Sequence, residues 1–172
     1  MKLLVGLGNP DNKFLTTRHN VGFCVLDMLQ HELGFPDFSF DKSSNAEVSK
    51  KDDVLLVKPQ TYMNDSGDAV AYLFNFYTCT IDDLLVIHDE VELSLGDISL
   101  SRNKSASGHN GVRSIIDSLG NTSDFYRLRI GVGRPEVGEL KEYVLAPLGE
   151  DLEVILKKKE EIKERIHGFL TT

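Results

Sequence analysis

The chain has 172 residues, of which 41% are hydrophobic and 27% charged, with a formal net charge of −8 at pH 7. These values are typical of a soluble globular domain, and the net negative charge taken at face value argues against a nucleic-acid partner. The two cysteines, Cys24 and Cys79, form no C-x-x-C pair, so neither a disulfide framework nor a zinc knuckle is predicted. We expect one domain spanning residues 1–172 in a reducing compartment, the cytoplasm.

Short β-rich apolar runs alternate with segments of helical period, which predicts an α/β fold. The first apolar run, from Leu3 to about Leu7, is too short for a signal peptide or a membrane span. The predicted strands are Lys2–Leu7, Val54–Lys58, Leu84–His88, Asp97–Ser101 and Tyr126–Val132, with a further one within Phe38–Val48. The predicted helices are Val21–Leu33, Ser66–Tyr77, Gly111–Leu119 and about Asp151–Leu170.

The first strand leads into "VGLGNPDNKFLTTRHN", which approaches the dinucleotide fingerprint G-x-G-x-x-G. Gly6 and Gly8 fit this fingerprint, but the third glycine position holds Asp11. A carboxylate there would repel a pyrophosphate at the start of the following helix. Nucleotide binding is therefore not predicted, and Asn9 followed by Pro10 indicates a turn.

Positive charge is concentrated late in the chain. Between Ser99 and Arg134 there are six basic and two acidic residues, a local charge of +4 within a chain of −8. Such a segment favours a basic patch that holds phosphates with strong salt sensitivity, although an ordinary mixed surface is the alternative. The six basic residues are Arg102, Lys104, Arg113, Arg127, Arg129 and Arg134.

Several common catalytic motifs are absent. The sequence has no G-x-S-x-G, no P-loop and no H-E-x-x-H, which argues against serine hydrolases, nucleotide hydrolases and zinc proteases of the commonest kinds. The five histidines show no ligand spacing with one another or with the cysteines, so no metal site is predicted.

Four polar clusters follow predicted strands or open predicted helices, where an α/β sheet tends to form its site. They contain Asn9 with His19, Asn64 in "KPQTYMNDSG", Asp89 in "VIHDEVEL" and Asn110 in "SGHNG". Each cluster alone is explained by turn or capping chemistry. Together they favour a hydrolytic site, because an imidazole paired with a carboxylate can deprotonate water and amides can orient it or donate to an oxyanion.

In this order, "VGLGNP", "TRHNVG", "KPQTYMNDSG", "HDEVEL", "SGHNG" and "FYRLRIGVGRP" resemble the bacterial peptidyl-tRNA hydrolase family from residue 3 to about 148. The resemblance implies a single-domain three-layer α/β/α sandwich around a twisted mixed, mainly parallel sheet. It also implies a monomer, without metal or cofactor, that hydrolyses the ester between the peptidyl group and the tRNA 3′ end. Its substrate partner would be peptidyl-tRNA, and no membrane partner is implied.

The resemblance also assigns roles by position. His19 would be the general base that activates water, and Asp89 would orient it. Asn9 and Asn64 would position the peptide end and the attacked ester, with Asn64 near the developing oxyanion, and Asn110 would help to hold the water and the tRNA end. Three further residues would contact or face the substrate, namely Phe14, Met63 and His109, the last on the tRNA-facing side.

The chain departs from the family pattern at several positions. Asp11 replaces a usual glycine and Phe14 a usual tyrosine, so any hydrogen bond from that hydroxyl is lost. Ser107 replaces a glycine before G-H-N-G, and Ser99 and Ser101 stand where basic residues are expected. These changes affect the expected phosphate contacts more than the catalytic ones.

Two other functions compete with the hydrolase interpretation. One is a non-enzymatic RNA-binding relative on the same fold, which would be expected to carry a broader basic surface. The other is a hydrolase of some other small acyl ester. Salt dependence separates this last class from a tRNA substrate, because only the tRNA releases phosphate counterions on binding.

Overall fold

The computed structural model describes residues 1–172, with seven strands, six α-helices and four short 3₁₀ turns. The strands are β1 (Lys2–Gly6), β2 (Ser39–Asp41), β3 (Ala46–Lys51), β4 (Val54–Pro59), β5 (Leu84–Glu90), β6 (Ile98–Arg102) and β7 (Tyr126–Gly131). The helices are α1 (Val21–Glu32), α2 (Ser66–Phe76), α3 (Asn110–Ser118), α4 (Leu140–Val144), α5 (Asp151–Leu156) and α6 (Lys159–Leu170). The 3₁₀ turns are Asn12–Phe14, Arg18–Asn20, Met63–Asp65 and Ile81–Asp83.

The seven strands form one mixed sheet in the order β2-β3-β4-β1-β5-β7-β6. The four central strands, β4, β1, β5 and β7, run parallel to their neighbours within this group. The antiparallel strands β2 and β3 extend one edge and β6 forms the other. The carboxyl ends of the central strands therefore lie at one end of the sheet, where α/β folds place ligands.

Helices cover both faces of this sheet. Because side chains alternate along a strand, Leu4 of β1 packs with α1, α5 and α6, whereas Leu3 and Val5 pack with α2 and α3. The two apolar clusters are separated by the sheet itself, which gives the expected α/β/α sandwich. No helix is both long and apolar enough to cross a membrane.

A close approach between β1 and α1 fixes the entrance to the site. A Cβ atom on Gly22 would lie 2.4 Å from the backbone nitrogen of Leu7, and one on Gly6 would lie 2.4 Å from the carbonyl oxygen of Gly22. Only glycine fits at both positions. The glycines of "VGLGNP" and "TRHNVG" thus bring the loop after β1 against the start of α1.

All five individually bounded strand predictions and the first three helix predictions are confirmed to within two residues at each end. The region Phe38–Val48 contains β2 and the beginning of β3, paired antiparallel through a turn in which Asn45 has a φ of 50°. The single helix predicted over Asp151–Leu170 is instead the two helices α5 and α6, because Lys158 leaves the helical region with a ψ of 12°. Helix α4 was not predicted.

Three of the six basic residues between Ser99 and Arg134 form ion pairs, which favours the alternative of a mixed surface over a continuous basic patch. Arg102 pairs with Asp82 and Asp124, and Arg129 pairs with Glu90. Arg134 pairs with Glu92, while Arg127 is 2% exposed and donates to the carbonyl oxygen of Ser105. Lys104 and Arg113, like Arg127, have no acidic partner.

Candidate active site

One open pocket with a volume of about 500 Å³ lies beyond the carboxyl ends of β1, β4 and β5 and beside the start of α3. The four polar clusters that are separate in sequence meet here, because parallel strands end at the same edge of the sheet. All eight residues named from the sequence line the pocket: Asn9, Phe14, His19, Met63, Asn64, Asp89, His109 and Asn110.

A buried carboxylate lies at the centre of the site. Asp89, near the end of β5, is 3% exposed. The Nδ1 atom of His19 lies 2.9 and 3.0 Å from its two carboxylate oxygens, and the Nε2 atom of His109 lies 2.8 Å from Oδ1. Asp89 therefore interacts with two histidines that come from the segment before α1 and the residue before α3.

The hydrogen-bond network assigns the tautomers of both rings. Nδ1 of His109 accepts from the backbone N–H of Val112 at 3.3 Å, so its Nε2 carries the proton that is donated to Asp89. His19 likewise donates from Nδ1 to Asp89, and its Nε2 makes no hydrogen bond within the protein. A neutral His19 thus presents an unused lone pair in a ring that lines the pocket.

The electrostatics of Asp89 favour its charged form. Burial alone would raise the pKa of Asp89, but the adjacent His109 and His19 outweigh burial and hold the pKa well below its ordinary value of 3.8. Asp89 is therefore a carboxylate at neutral pH. Because a ring nitrogen of each histidine faces the Asp89 carboxylate, His19, Asp89 and His109 form a hydrogen-bonded triad in this arrangement.

A third histidine supports this cluster from below. His88 is 1% exposed, and burial lowers its pKa from 6.5 to about 3, so it is neutral at physiological pH. Its Nδ1 donates to the carbonyl oxygen of Asp89 at 2.7 Å, and its ring packs edge-on against His109 with 4.8 Å between centroids. His88 was seen in the sequence but not assigned a role there.

The first of the three asparagines is rigidly held. Asn9 is 7% exposed, and its Oδ1 accepts from the backbone N–H of Met63 at 2.8 Å. Its backbone N–H and C=O exchange two hydrogen bonds of 2.9 Å with the side chain of Asn20. The remaining group, the Nδ2 amide, makes no hydrogen bond in the protein and is free to donate into the pocket.

The other two asparagines are exposed. Asn64 lies in the 3₁₀ turn Met63–Asp65, and Asn110 is the first residue of α3. Both are solvent-exposed, and their side chains make no hydrogen bond to the rest of the protein. Their amides are thus available to a bound substrate or water.

The apolar walls of the pocket include residues that sequence analysis missed. The segment after β7 lines one side of the pocket with Leu140, Lys141 and Val144 of α4 and with Leu145, and Val91, which follows β5, also lines the pocket. The i, i+4 spacing of Leu140 and Val144 was the one available signal for this short helix.

One departure noted in the sequence, Asp11, forms a contact at the opposite rim of the pocket. Tyr62 and Phe14 both line the pocket, and the hydroxyl of Tyr62 donates to Oδ2 of Asp11 at 2.9 Å. Asp11 therefore ties the loop after β1 to the loop after β4. Tyr62 has a φ of 63°, an uncommon conformation for a bulky residue that is often found at functional sites.

Comparisons with known proteins agree with this geometry. The family model described as peptidyl-tRNA hydrolase matches residues 3–171. A peptidyl-tRNA hydrolase of Lactobacillus gasseri is 37% identical over 171 residues, which cover 96% of this chain and 90% of the relative.

Solved structures give the same result. The crystal structure of peptidyl-tRNA hydrolase from Acinetobacter baumannii superposes with a TM-score of 0.88 and 30% identity, covering 99% of this chain and 91% of that one. A mutant of the Acinetobacter baumannii protein superposes with a TM-score of 0.86 and 31% identity over 93% and 83% of the two chains. The chain belongs to the peptidyl-tRNA hydrolase family.

Proposed function

We propose that this protein hydrolyses the ester bond between the peptidyl group and the 3′ end of tRNA, using a water molecule activated by His19. The observation that carries this proposal is the contact of 2.9 Å between His19 Nδ1 and buried Asp89, which leaves His19 Nε2 unpaired in a pocket with three asparagines. Family membership supports peptidyl-tRNA as the substrate.

The first step is proton removal from water. Nε2 of His19 accepts a proton while the water oxygen attacks the ester carbonyl, and Asp89 stabilises the imidazolium that forms. The proton on Nε2 then passes to the leaving 3′ oxygen of the tRNA. The products are a peptide carboxylic acid and a free 3′ hydroxyl, so no covalent enzyme intermediate is needed.

The amides stabilise the negative charge that develops on the carbonyl oxygen. Asn64 and the Nδ2 group of Asn9 are neutral donors on one side of the pocket, and Asn110 lies at the start of α3. Neutral donors aimed at a developing oxyanion stabilise the transition state without changing the charge of the site. We assign Asn110 to the attacking water and the tRNA end, as the resemblance implied.

His109 has a different role in this mechanism from the one implied by the resemblance. Both of its ring nitrogens are engaged, with Asp89 and with the backbone of Val112. It lines the pocket but has no free nitrogen for the tRNA. We therefore propose that His109 positions Asp89, and that Met63 and Phe14 provide the apolar contacts to the substrate.

The same amides offer a way to spare free aminoacyl-tRNA. A charged α-amino group would lose hydration where the substrate places an amide, and amide-reading asparagines do not compensate for that loss. This hypothesis concerns Asn9 and Asn64. An Asn9→Ala variant should lose more activity on N-acylated aminoacyl-tRNA than on free aminoacyl-tRNA, and equal losses on both substrates would contradict it.

A non-enzymatic RNA-binding role is not favoured, because the site contains a base, its carboxylate partner and three amides, whereas three of the six cations of the basic segment are ion-paired. We further propose that residues 1–172 act as one monomeric domain in the cytoplasm and without a metal ion. A small acyl ester as substrate would predict activity that is insensitive to salt, whereas tRNA predicts a steep loss with rising salt.

The decisive experiment compares the parent protein with His19→Ala on N-acetylated aminoacyl-tRNA and follows ester cleavage. We expect kcat of the variant to fall about 10³-fold or more. The variant lacks both the base that deprotonates water and the group that returns the proton to the leaving 3′ oxygen. The matched control is His31→Ala, which removes an exposed histidine on α1 and should retain parental activity. Undiminished turnover by His19→Ala would remove the assigned base.

A further inference from the structure

Helix α4 forms one wall of the pocket, but it buries none of its own residues against the core. It has five residues. Helices this short are not stable alone in water, so tertiary contacts must fix the wall. The contacts that do so converge on one side chain, Arg18, the residue immediately before the base His19.

The guanidinium of Arg18 holds the carboxyl end of this wall. Its Nη1 lies 3.2–3.5 Å from the carbonyl oxygens of Tyr143, Ala146 and Pro147, and its Nη2 donates to Asp151 at 3.2 Å. The same group lies 4.1 Å from the centroid of the Tyr143 ring. Terminal helix carbonyls lack partners within their helix, and a planar guanidinium supplies several donors in one geometry.

Backbone contacts extend the attachment to the segment that carries the base. The N–H of Arg18 donates to the carbonyl of Ala146 at 3.1 Å, and the N–H of Leu148 donates to the carbonyl of Thr16 at 2.7 Å. The Arg18 side chain is only 14% exposed, although its partner Asp151 is 33% exposed. The residue after Arg18 is then fixed by its own contact with Asp89.

We propose that Arg18 is a positioning residue that fixes the α4 wall relative to His19 and thereby sets the width of the substrate pocket. This inference rests on the proposed function, because it assigns the wall to the substrate of that reaction. Arg18 acts through α4 and does not itself line the pocket. Its loss should affect substrate binding more than proton transfer, since His19 keeps its separate contact with Asp89.

The test uses Arg18→Met with Lys2→Met as its matched control. Like Arg18, Lys2 contacts a carboxylate, a backbone carbonyl and an aromatic ring, but it does so at the opposite end of the sheet. It pairs with Asp83, donates to the carbonyl of Asp82 and lies over the ring of Phe169. We expect Arg18→Met to raise KM for N-acylated aminoacyl-tRNA about tenfold with kcat changed less than threefold, and Lys2→Met to change neither. Arg18→Lys should not restore KM, because an ammonium lacks the fork of donors.

Two further measurements separate this inference from the proposed function. Amide hydrogen exchange should accelerate at Tyr143 and Ala146 in Arg18→Met and remain parental in Lys2→Met. A mimic in which an amide replaces the scissile ester should bind Arg18→Met about tenfold more weakly than the parent, whether or not the parent cleaves the ester. The proposal is overturned if Arg18→Met binds the mimic as tightly as the parent or exchanges its amides at the parental rate. It is also overturned if kcat of Arg18→Met falls by as large a factor as KM rises, or by a larger one. If the parent does not cleave the ester but Arg18→Met still binds the mimic more weakly, only the proposed function is contradicted.

Discussion

The two halves of the pocket are built in opposite ways. Around Asp89 the polar atoms are buried, and His19, His109 and His88 each make a defined hydrogen bond to this residue. Asn64 and Asn110 are exposed and make no side-chain hydrogen bond within the protein. In the proposed mechanism, the groups that transfer the proton are therefore in place before the substrate binds, whereas the asparagine amides gain their hydrogen-bond partners from the substrate.

A conservative substitution in the buried half of the pocket should reduce kcat more than one in the exposed half. Asp89→Asn keeps the shape of the carboxylate but removes its charge, and an amide cannot accept from both histidines in the same way. We expect kcat to fall by about 10³- to 10⁴-fold, because His19 loses the partner that orients it and stabilises its charged form. Single-turnover cleavage of N-acylated aminoacyl-tRNA measures this change.

Asp97→Asn is a suitable control for that substitution, since Asp97 is exposed and forms no ion pair. A loss of less than tenfold in Asp89→Asn would mean that the buried half is not the preorganised part of the site. The comparison between the halves would then fail.

Substitutions in the exposed half of the pocket should weaken stabilisation of the transition state without weakening substrate binding. Removing one donor to a developing oxyanion costs about 10²-fold in kcat, so Asn64→Ala should reduce kcat by that factor with KM changed little. Because the Asn64 side chain has no partner in the free protein, its removal should leave the melting temperature unchanged. Asn75→Ala on α2 serves as the control for loss of an asparagine far from the pocket.

A lower melting temperature in Asn64→Ala than in its control would show that the amide has structural contacts in the free protein. That outcome would contradict the distinction drawn between the two halves. The same measurement on Asn9→Ala should show destabilisation, since Asn9 accepts from Met63 in the free protein.

The contrast also separates what sequence could and could not predict. Strand ends and motif order were enough to bring His19, Asp89 and Asn64 to one edge of the sheet, because the topology of a parallel sheet determines where its loops lie. The second donor to Asp89 was not predictable, since a histidine one residue before a helix is equally consistent with a simple cap. His109 in fact does both.

The count of charges along the sequence was the least reliable basis for predicting the surface of the protein. The count over Ser99–Arg134 included Arg129 and Arg134 as free cations, but Glu90 and Glu92 pair with them from outside the counted segment. A count along the chain cannot register pairing between strands. Helix α4 was missed for a related reason, because its place depends on contacts with Arg18 rather than on a local pattern.

Stability should depend on pH through the buried half. The pKa of His88 is lowered from 6.5 to about 3, so the unfolded chain binds a proton that the folded chain excludes between these values. This contribution is present above pH 6.5 and is lost as the pH falls towards 3. The slope from this one group is at most about 1.4 kcal/mol per pH unit.

Denaturant unfolding between pH 7 and pH 4 measures that slope, and His88→Gln should flatten it. His167→Gln, which removes an exposed histidine on α6, should leave the slope as in the parent. If His88→Gln retains the full parental slope, the exclusion of a proton from this buried ring is not the source of the acid sensitivity. Asp89 cannot supply a slope in this range, because its lowered pKa affects stability only as the pH falls below 3.8.

The smallest effect is expected at the rim that joins the two loops, where Tyr62 donates to Asp11. Tyr62→Phe removes only the hydroxyl, and an exposed hydrogen bond of this kind contributes about 1 kcal/mol, so KM should rise about three- to fivefold while kcat is retained. Asp11→Asn should have a smaller effect, because an amide oxygen can still accept from the hydroxyl. The order of these two variants tests whether the bond or the charge of Asp11 matters.

Tyr72→Phe is the matched control, since Tyr72 is an exposed tyrosine on α2 whose hydroxyl makes no hydrogen bond. If Asp11→Asn raises KM more than Tyr62→Phe, the negative charge rather than the bridge acts on the substrate. Asp11 would then select among peptidyl groups by their charge. If neither variant changes KM, the hydrogen bond between Tyr62 and Asp11 does not contribute to substrate binding. The strained φ of 63° at Tyr62 then positions Met63 and Asn64 instead.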